Sequence, residues 1–564
     1  MKWWGWGDDD VAFTHEDKPE LGPFLQRHLE IDVHRVSSPR VGFGDLRIPE
    51  PGVPSGLRAA LEAAVGAGQV STDPLDRLVH ARGKSLRDLV RHRRGEIGRL
   101  PDVVVRPADE DAVAAVVRAA LDADAVVIPF GGGSNISGSL EPPEGDTRPI
   151  VSVDLGRMEQ VLAIDETARL ARVQAGVSGP RLEAQLNARG WTLGHFPDSF
   201  AYSTLGGWIA TRSSGMQSDK YGDVADLTRA VRVVMPSGLL ATRPVPATST
   251  GPSVREMVLG SEGRLGIVSE ATVHVHRAPV RRTILGYLLP SWAAGLAAMH
   301  DIAAGEVSPT VTRVSDANET QFSFATRKAA SLLDRVKSRA LTEFLRRRRD
   351  FDLDTMCLAF IGYEGSDRHV RAQRKLAGRI VARHGGLCIG SGPGALYDQK
   401  KFDTPYIRDY LLDRGALADV SETAAPWSLL PAVYDNATGA AHAAFRSLGV
   451  PGYVMCHLSH SYHSGACLYF TFALKPSGAR EPLAEYDVVK SAVQQAFVDS
   501  GATLSHHHAV GTEHAAWLEQ DISAPGVAMV RALFDGVDPG RNLNPGKIVG
   551  PDLPLAPPRR TMGE

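Results

Sequence analysis

Cysteine is scarce in this chain: Cys357, Cys388, Cys456 and Cys467 are the only four among 564 residues, and no two stand in a CxxC pair. That excludes a disulfide framework, gives no sign of a structural zinc site, and fits a reducing compartment. Long apolar runs are missing too. None approaches the roughly 18 to 20 residues of a membrane span. The first residues, MKWWGWGDDD, lack a basic stretch followed by an apolar one, so a soluble, unprocessed protein is expected. Neither sign of charge dominates, with 62 Lys+Arg against 65 Asp+Glu. Such a balance offers no general attraction to nucleic acid and favours small-molecule chemistry. No internal repeat and no low-complexity segment interrupts the chain.

Glycine, by contrast, is concentrated where it can matter. The stretch PFGGGSNISGSL, residues 129–140, follows the apolar run Ala125 to Ile128. Such a backbone can turn through positive φ and aim several N–H groups at one anion. A triphosphate-binding loop would continue with Gly-Lys-Ser/Thr, which is absent. A dinucleotide fingerprint would place a third glycine where Ile136 stands and open a helix, yet SLEPPEGDTRPIV is too rich in Pro and Gly for one. A diphosphate held between two strands is left, and for the stretch alone an ordinary glycine-rich turn is an equal reading. A second cluster, FPDSFAYSTLGGWIATRSSG, covers 196–215, and a third, GSEGRLGIV, covers 260–268. In the third, Glu262 is placed to accept from a ribose hydroxyl, beside Gly263 and Gly266. Three such segments within about 140 residues point to a large dinucleotide.

The texture of the chain divides it into four parts. Residues 1–100 mix Trp, Pro and Arg, with one helix expected near Ser55 to Ala67. From Pro101 the pattern strand, turn, amphipathic helix, strand gives an α+β domain over 101–280, including a hairpin that turns at Ser237-Gly238. A second α+β domain, facing substrate, is expected over 281–488. It contains a helical stretch at 328–351, whose Arg346 to Arg349 read as a solvated helix end, and two strands joined at Ser464-Gly465. Residues 489–564 close the chain after a helix from about Tyr486 to Asp499.

In the strand ACLYFTFAL, Leu468, Phe470, Phe472 and Leu474 share one face, leaving Cys467, Tyr469 and Thr471 on the other. His457 and Ser459 alternate likewise on the partner strand, so a polar cavity is expected there. Tyr469 is by default a structural tyrosine, or else a proton exchanger. In SHHHAVG an extended chain would put His506 and His508 on one face and His507 on the other, too few ligands for a metal site, and none is expected. Arg313 and Arg408 each offer the planar fork that suits a phosphate.

Taken together, PFGGGSNISG, DSFAYSTLGGWIATRSSGMQSDKYGDVADL and GSEGRLGIVSEATVHV resemble the flavin-binding segments of the vanillyl-alcohol oxidase / para-cresol methylhydroxylase family. KWWGWGDD, TVTRVSDANETQF, PYIRDYLLDRG, SETAAPW, SHSYHSGACLYFTFAL and SHHHAVG narrow the resemblance to its alkyldihydroxyacetonephosphate synthase branch, over Met1 to about Ile548. It implies a two-subdomain FAD-binding domain with a second α+β cap domain, and FAD bound without a covalent link. The implied flavin contacts are Pro129, Phe130, Gly131, Gly132, Gly133, Ser134 and Asn135 in the first segment. In the second they are Asp198, Ser199, Phe200, Ala201, Tyr202, Ser203, Thr204, Thr211, Arg212, Ser213 and Ser214. The third contributes Glu262, Gly263, Arg264, Leu265, Gly266, Ile267 and Val268. Tyr469 matches the family's catalytic tyrosine, His506, His507 and His508 its histidine tract, Arg408 its substrate-binding arginine, and Arg313 a position important for activity. After the tract, Thr512, Glu513 and His514 depart from the family's more basic ending.

The reaction so implied exchanges the fatty acid of 1-acyl-dihydroxyacetone phosphate for a long-chain alcohol, without net redox and with the flavin as electron sink. The competing reading is oxidation of a 2-hydroxy acid or an alcohol by hydride transfer on the same scaffold. No nucleic-acid partner is expected. A homodimer is, together with a cytoplasmic location and contact with the inner membrane face where the lipid is met.

Overall fold

The computed structural model describes residues 2–328, 351–352, 354–400, 402 and 404–549. Eighteen strands build its sheets: β1 (Val70–Ser71), β2 (Val103–Val105), β3 (Val126–Phe130), β4 (Ile150–Asp154), β5 (Val161–Asp165), β6 (Leu170–Gln174), β7 (Trp191–Thr192), β8 (Thr228–Met235) and β9 (Gly238–Ala241). They continue with β10 (Ile267–His274), β11 (His276–Arg277), β12 (Arg281–Leu289), β13 (Val311–Ser315), β14 (Cys357–Gly365), β15 (Leu387–Gly390), β16 (Leu417–Pro426), β17 (Gly452–Ser461) and β18 (Gly465–Leu474).

The first sheet runs β1-β2-β4-β3, with β2, β4 and β3 parallel. The helix Glu110–Asp122 crosses over from β2 to β3, which lies two strands away with β4 between them. Asp109 caps that helix by accepting the Ala112 N–H, and its buried stripe is Val113, Val116, Val117 and Ala120. An antiparallel sheet in the order β5-β6-β10-β8-β9 packs beside it in one apolar core. The expected hairpin closes where Met235 pairs with Gly238.

The third sheet is antiparallel throughout and runs β15-β12-β14-β13-β17-β18-β16. Leu468, Phe470 and Phe472 of β18 are buried in the core that also holds residues of the helices Leu430–Leu448 and Pro482–Asp499. The opposite face of the sheet is the one left for a site. After Pro482–Asp499 the chain returns to the first sheet: the Val127 N–H donates to the Asn542 carbonyl at 2.7 Å, and the Asn544 N–H donates to the Val127 carbonyl at 2.9 Å.

Several expectations needed correction. The first hundred residues hold four α-helices rather than one: Leu21–Leu29, Ser55–Val65, Pro74–Val79 and Leu86–Arg93. The three extra helices have six to nine residues, too short for apolar periodicity to reveal, and Asp73 and Ser85 cap two of them. The helix expected from about Tyr486 starts at Pro482, because Glu481 accepts the Ala484 N–H and a proline fits the first helical turn. The body of the helical stretch expected at 328–351, with Arg346 to Arg349, lies outside the described residues. Among the described residues no helix is long and apolar enough to cross a membrane.

Candidate active site

A cavity of about 780 Å³ lies where the glycine segments meet the open face of the third sheet. The first segment lines it from Pro129 to Ile136. A side chain on Gly132 would collide with the Tyr202 carbonyl at 1.8 Å, so only glycine lets the first segment lie against the second. Five consecutive N–H groups, Gly132 to Ile136, donate to no group among the described residues. Donors without partners on a cavity wall are what a diphosphate requires. Asp198, Ser199, Ser203, Thr204, Thr211, Ser213 and Ser214 join from the second segment, and Glu262, Gly263, Gly266, Ile267 and Val268 from the third.

Other residues expected at the flavin lie off this wall. Arg212 pairs with Glu256 at 3.1 Å, Arg264 lies over Phe534, and Leu265 is packed in the C-terminal core. Phe200 stacks on Phe402, the Tyr202 hydroxyl meets Asp8 and Tyr406, and Ala201 is exposed. Glu262, on the cavity wall, also holds the chain. Its carboxylate accepts the Val510 and Gly511 N–H groups at 3.0 Å and the Ser139 hydroxyl.

Strand register places three polar residues in a row across the third sheet. Tyr469 of β18 pairs with His457 of β17 on one side and with Glu422 of β16 on the other. Cross-strand partners share a face. The His457 and Tyr469 rings stack at 4.8 Å. Burial, and then the charges of Asp198 and Glu422, push the Tyr469 phenol well above its usual range.

Glu422 organises the histidine tract, and its place in the pattern was not read from the sequence. Its carboxylate accepts the N–H groups of His506, His507 and His508 at 2.6, 3.1 and 3.0 Å, and the Ser505 hydroxyl at 2.7 Å. Three successive amides that converge on one anion cannot belong to an extended chain, so the expected alternation fails. His507 and His508 line the cavity together, their rings 6.0 and 5.4 Å from that of Tyr469. His506 turns toward Tyr462, whose hydroxyl lies 2.6 Å from Nε2. Burial depresses His507 to about 3 and His508 to about 4, against the pull of Glu422, so both are neutral at physiological pH. Burial works against the Glu422 charge, yet the group stays well below the usual carboxylate range, and the three tract amides and the Ser505 hydroxyl that donate to it favour the carboxylate. Glu422, Cys467, His506 and His507 bring donor atoms within 4.8 Å of one another. The Glu422 oxygens are committed to amides, however, and the Nδ1 atoms of His506 and His507 to each other at 2.9 Å, so the group is a hydrogen-bonded cluster.

The two arginines differ. Arg313 is held by Glu319 at 2.5 Å and lies 3.2 Å from His457, which Glu319 also holds at 2.8 Å. Arg408, from the helix Thr404–Asp413, lines the same cavity and makes no hydrogen bond to a described residue. Glu513 and His514, past the tract, serve as anchors: Glu513 pairs with Arg87 at 3.1 Å, and His514 Nδ1 donates to the Ala509 carbonyl at 2.7 Å. A further arm of the cavity is apolar, walled by Phe24, Leu25, Leu29, Phe322, Ile407 and Leu411.

This arrangement has known counterparts. Residues 101–242 match the family described as FAD binding domain, and residues 278–548 the family of FAD linked oxidases, C-terminal domain. The alkyldihydroxyacetonephosphate synthase of Dictyostelium discoideum is 36% identical over 97% of this chain and 93% of its own. The chain belongs to the alkyldihydroxyacetonephosphate synthase family. A solved alkyldihydroxyacetonephosphate synthase superposes with a TM-score of 0.84 at 34% identity, covering 98% of this chain and 99% of that one. The wider fold is shared with p-cresol methylhydroxylase, at a TM-score of 0.63 and 14% identity over 89% of this chain and 99% of the other. The expected scaffold, an FAD-binding domain with a second α+β domain, is therefore established.

Beyond the residues matched to the synthase family, the fold adds Glu319, Glu422, Asp223, Tyr462 and His460 to the site. Two acids within one strand, Asp419 and Glu422 in LADVSETAAP, were the available signal.

Proposed function

We propose that this chain exchanges the acyl group of 1-acyl-dihydroxyacetone phosphate for a long-chain alcohol, an ether-forming step without net redox. One observation carries it: one cavity joins a cradle of amides and an arginine that make no hydrogen bond to described residues, a tyrosine beside neutral histidines, and an apolar arm. Segments 129–136, 198–214 and 262–268 would hold FAD without a covalent bond, and bound FAD supplies the electron sink for the substrate carbon. Arg408 receives the phosphate with its fork of donors. Tyr469 moves the proton at the carbon next to the ester, and His507 and His508, neutral in their buried setting, exchange protons with it. Arg313, fixed by Glu319, adds positive charge beside the reacting oxygens. The apolar arm takes the aliphatic chains and excludes water.

Residues 101–280 are assigned to the flavin, 281–488 to the substrate, and 489–564 to the segment that returns the histidine tract to the flavin side. A homodimer in the cytoplasm, in contact with the inner membrane face, belongs to the same reading.

The test is an anaerobic titration of the purified flavoprotein with palmitoyl-dihydroxyacetone phosphate. The visible flavin band should bleach and should recover on adding a fatty alcohol, with alkyl product formed and no electron acceptor present. An unchanged spectrum would refute the exchange reaction and bring forward oxidation of a hydroxy acid.

A further inference from the structure

Asp223, Tyr462, His506 and His507 form one chain of hydrogen bonds that ends at the cavity wall. The Tyr462 hydroxyl lies 2.9 Å from Asp223 Oδ2 and 2.6 Å from His506 Nε2, and His506 Nδ1 lies 2.9 Å from His507 Nδ1. Proton positions along this chain follow from its far end. Burial opposes ionisation of Asp223, but the groups around it, among them the Tyr462 hydroxyl at 2.9 Å, outweigh that cost and hold it below the usual carboxylate range. An ionised carboxylate only accepts. Tyr462 must therefore donate to Asp223, and its oxygen then accepts from His506, which places the His506 proton on Nε2. Two ring nitrogens 2.9 Å apart share one proton, and with the His506 proton at Nε2 its Nδ1 accepts from His507 Nδ1–H. His507 Nε2 is left without a proton.

A second observation, independent of the first, gives the same result. Glu422 oxygens lie 3.5 Å from Nδ1 of His507 and 3.5 Å from Nδ1 of His508, which favours an N–H at both positions. With Nδ1 turned to this cluster, the opposite edge of His507 faces the cavity it lines.

We propose that Asp223 and Tyr462 are positioning residues which, acting through His506, hold His507 as the Nδ1–H tautomer with a bare Nε2 presented to the cavity beside Tyr469. Its consequence rests on the exchange reaction proposed above. When Tyr469 is called on as a base, its O–H bond breaks and an N–H bond forms at His507 Nε2. The substrate proton reaches the phenol oxygen in the same step, so no free phenolate is formed, and the imidazolium keeps its Nδ1–H toward His506 and Glu422. Return of both protons restores the starting state, so no oxidant or reductant is consumed.

D223N separates this role from a structural one. Asparagine caps a helix as well as aspartate, and Asp223 caps the helix Val224–Leu227. Its amide, however, can donate to the Tyr462 oxygen. That would turn the phenol proton onto His506 Nε2, shift the His506 proton to Nδ1, and force the His507 proton onto Nε2.

Neutron diffraction from deuterium-exchanged holoenzyme crystals reads these positions directly. The expected wild-type result is deuterium on His507 Nδ1 and none on Nε2, reversed in D223N and mixed in Y462F. Both variants should lose about tenfold or more in kcat, with KM within about twofold and an unchanged flavin content per chain. Deuterium on Nε2 of wild-type His507 would overturn the proposal. So would wild-type rates in both variants. An enzyme that fails to turn over the acyl substrate refutes the proposed reaction instead, and the neutron map still decides the tautomers.

Discussion

Arg408 and Arg313 show how two like side chains on one wall come to different uses. Arg313 is committed to Glu319 and His457, whereas Arg408 faces the cavity with its donors unspent on any described residue. A lysine at 408 keeps the charge and loses the fork. Arg408→Lys is accordingly expected to raise KM for the phosphorylated ketone about tenfold and to change kcat by less than about threefold, measured in steady state. A large fall in kcat with KM unchanged would place Arg408 at the reacting carbon rather than at the phosphate. At this scale the sequence was informative: the period-two alternation of β18 put Tyr469 on the correct face. It was silent on which arginine is held by a described residue, because the partner of Arg313 comes from the helix Ala317–Ala325 and only folding brings the two together.

The histidine tract is an element with no regular structure, and its shape is imposed by two buried carboxylates. Glu422 gathers the amides of 506–508 from the side of the third sheet, and Glu262 gathers those of 510 and 511 from the glycine segments. Glu422→Gln leaves one oxygen and an added donor facing three amides. Losing the charged acceptor should cost about 2 kcal/mol locally. The expected reading is about 30-fold faster hydrogen exchange at His506 to His508, with fold and flavin content retained. Unchanged protection there would show that the tract is held by other contacts. An isolated SHHHAVG gives no hint of this folding, since its determinants lie 84 residues before His506 in one case and 248 residues before Val510 in the other.

Across the whole molecule, buried titratable groups decide how stability responds to acid. His92, His195, His508 and His514 are held at about 4 and His507 at about 3, chiefly by burial. Such groups take up protons near 6.5 once unfolded, which favours the unfolded state as pH falls. Asp88, Asp219 and Asp316, pushed up to about 7 by burial, act in the opposite sense, because the folded state binds their protons first. These five histidines outweigh the three carboxyls, leaving the unfolded chain ahead by about one proton on average between pH 6.5 and 5. Urea unfolding should therefore show stability falling by about 1.4 kcal/mol per pH unit across that window. A flat or rising profile would mean that the carboxyls dominate. On the same scale, the sequence by itself determined the α+β division, the three glycine segments and the strand faces, because those follow from local φ freedom and from side-chain period. Only the tertiary structure decided that one cavity unites segments 129–136, 198–214 and 262–268 with Arg408, Tyr469 and His507, and that Glu262 holds the amides of Val510 and Gly511. Those outcomes depend on contacts between residues hundreds of positions apart, and the free energy of burying a carboxylate against distant amides is written in no local pattern.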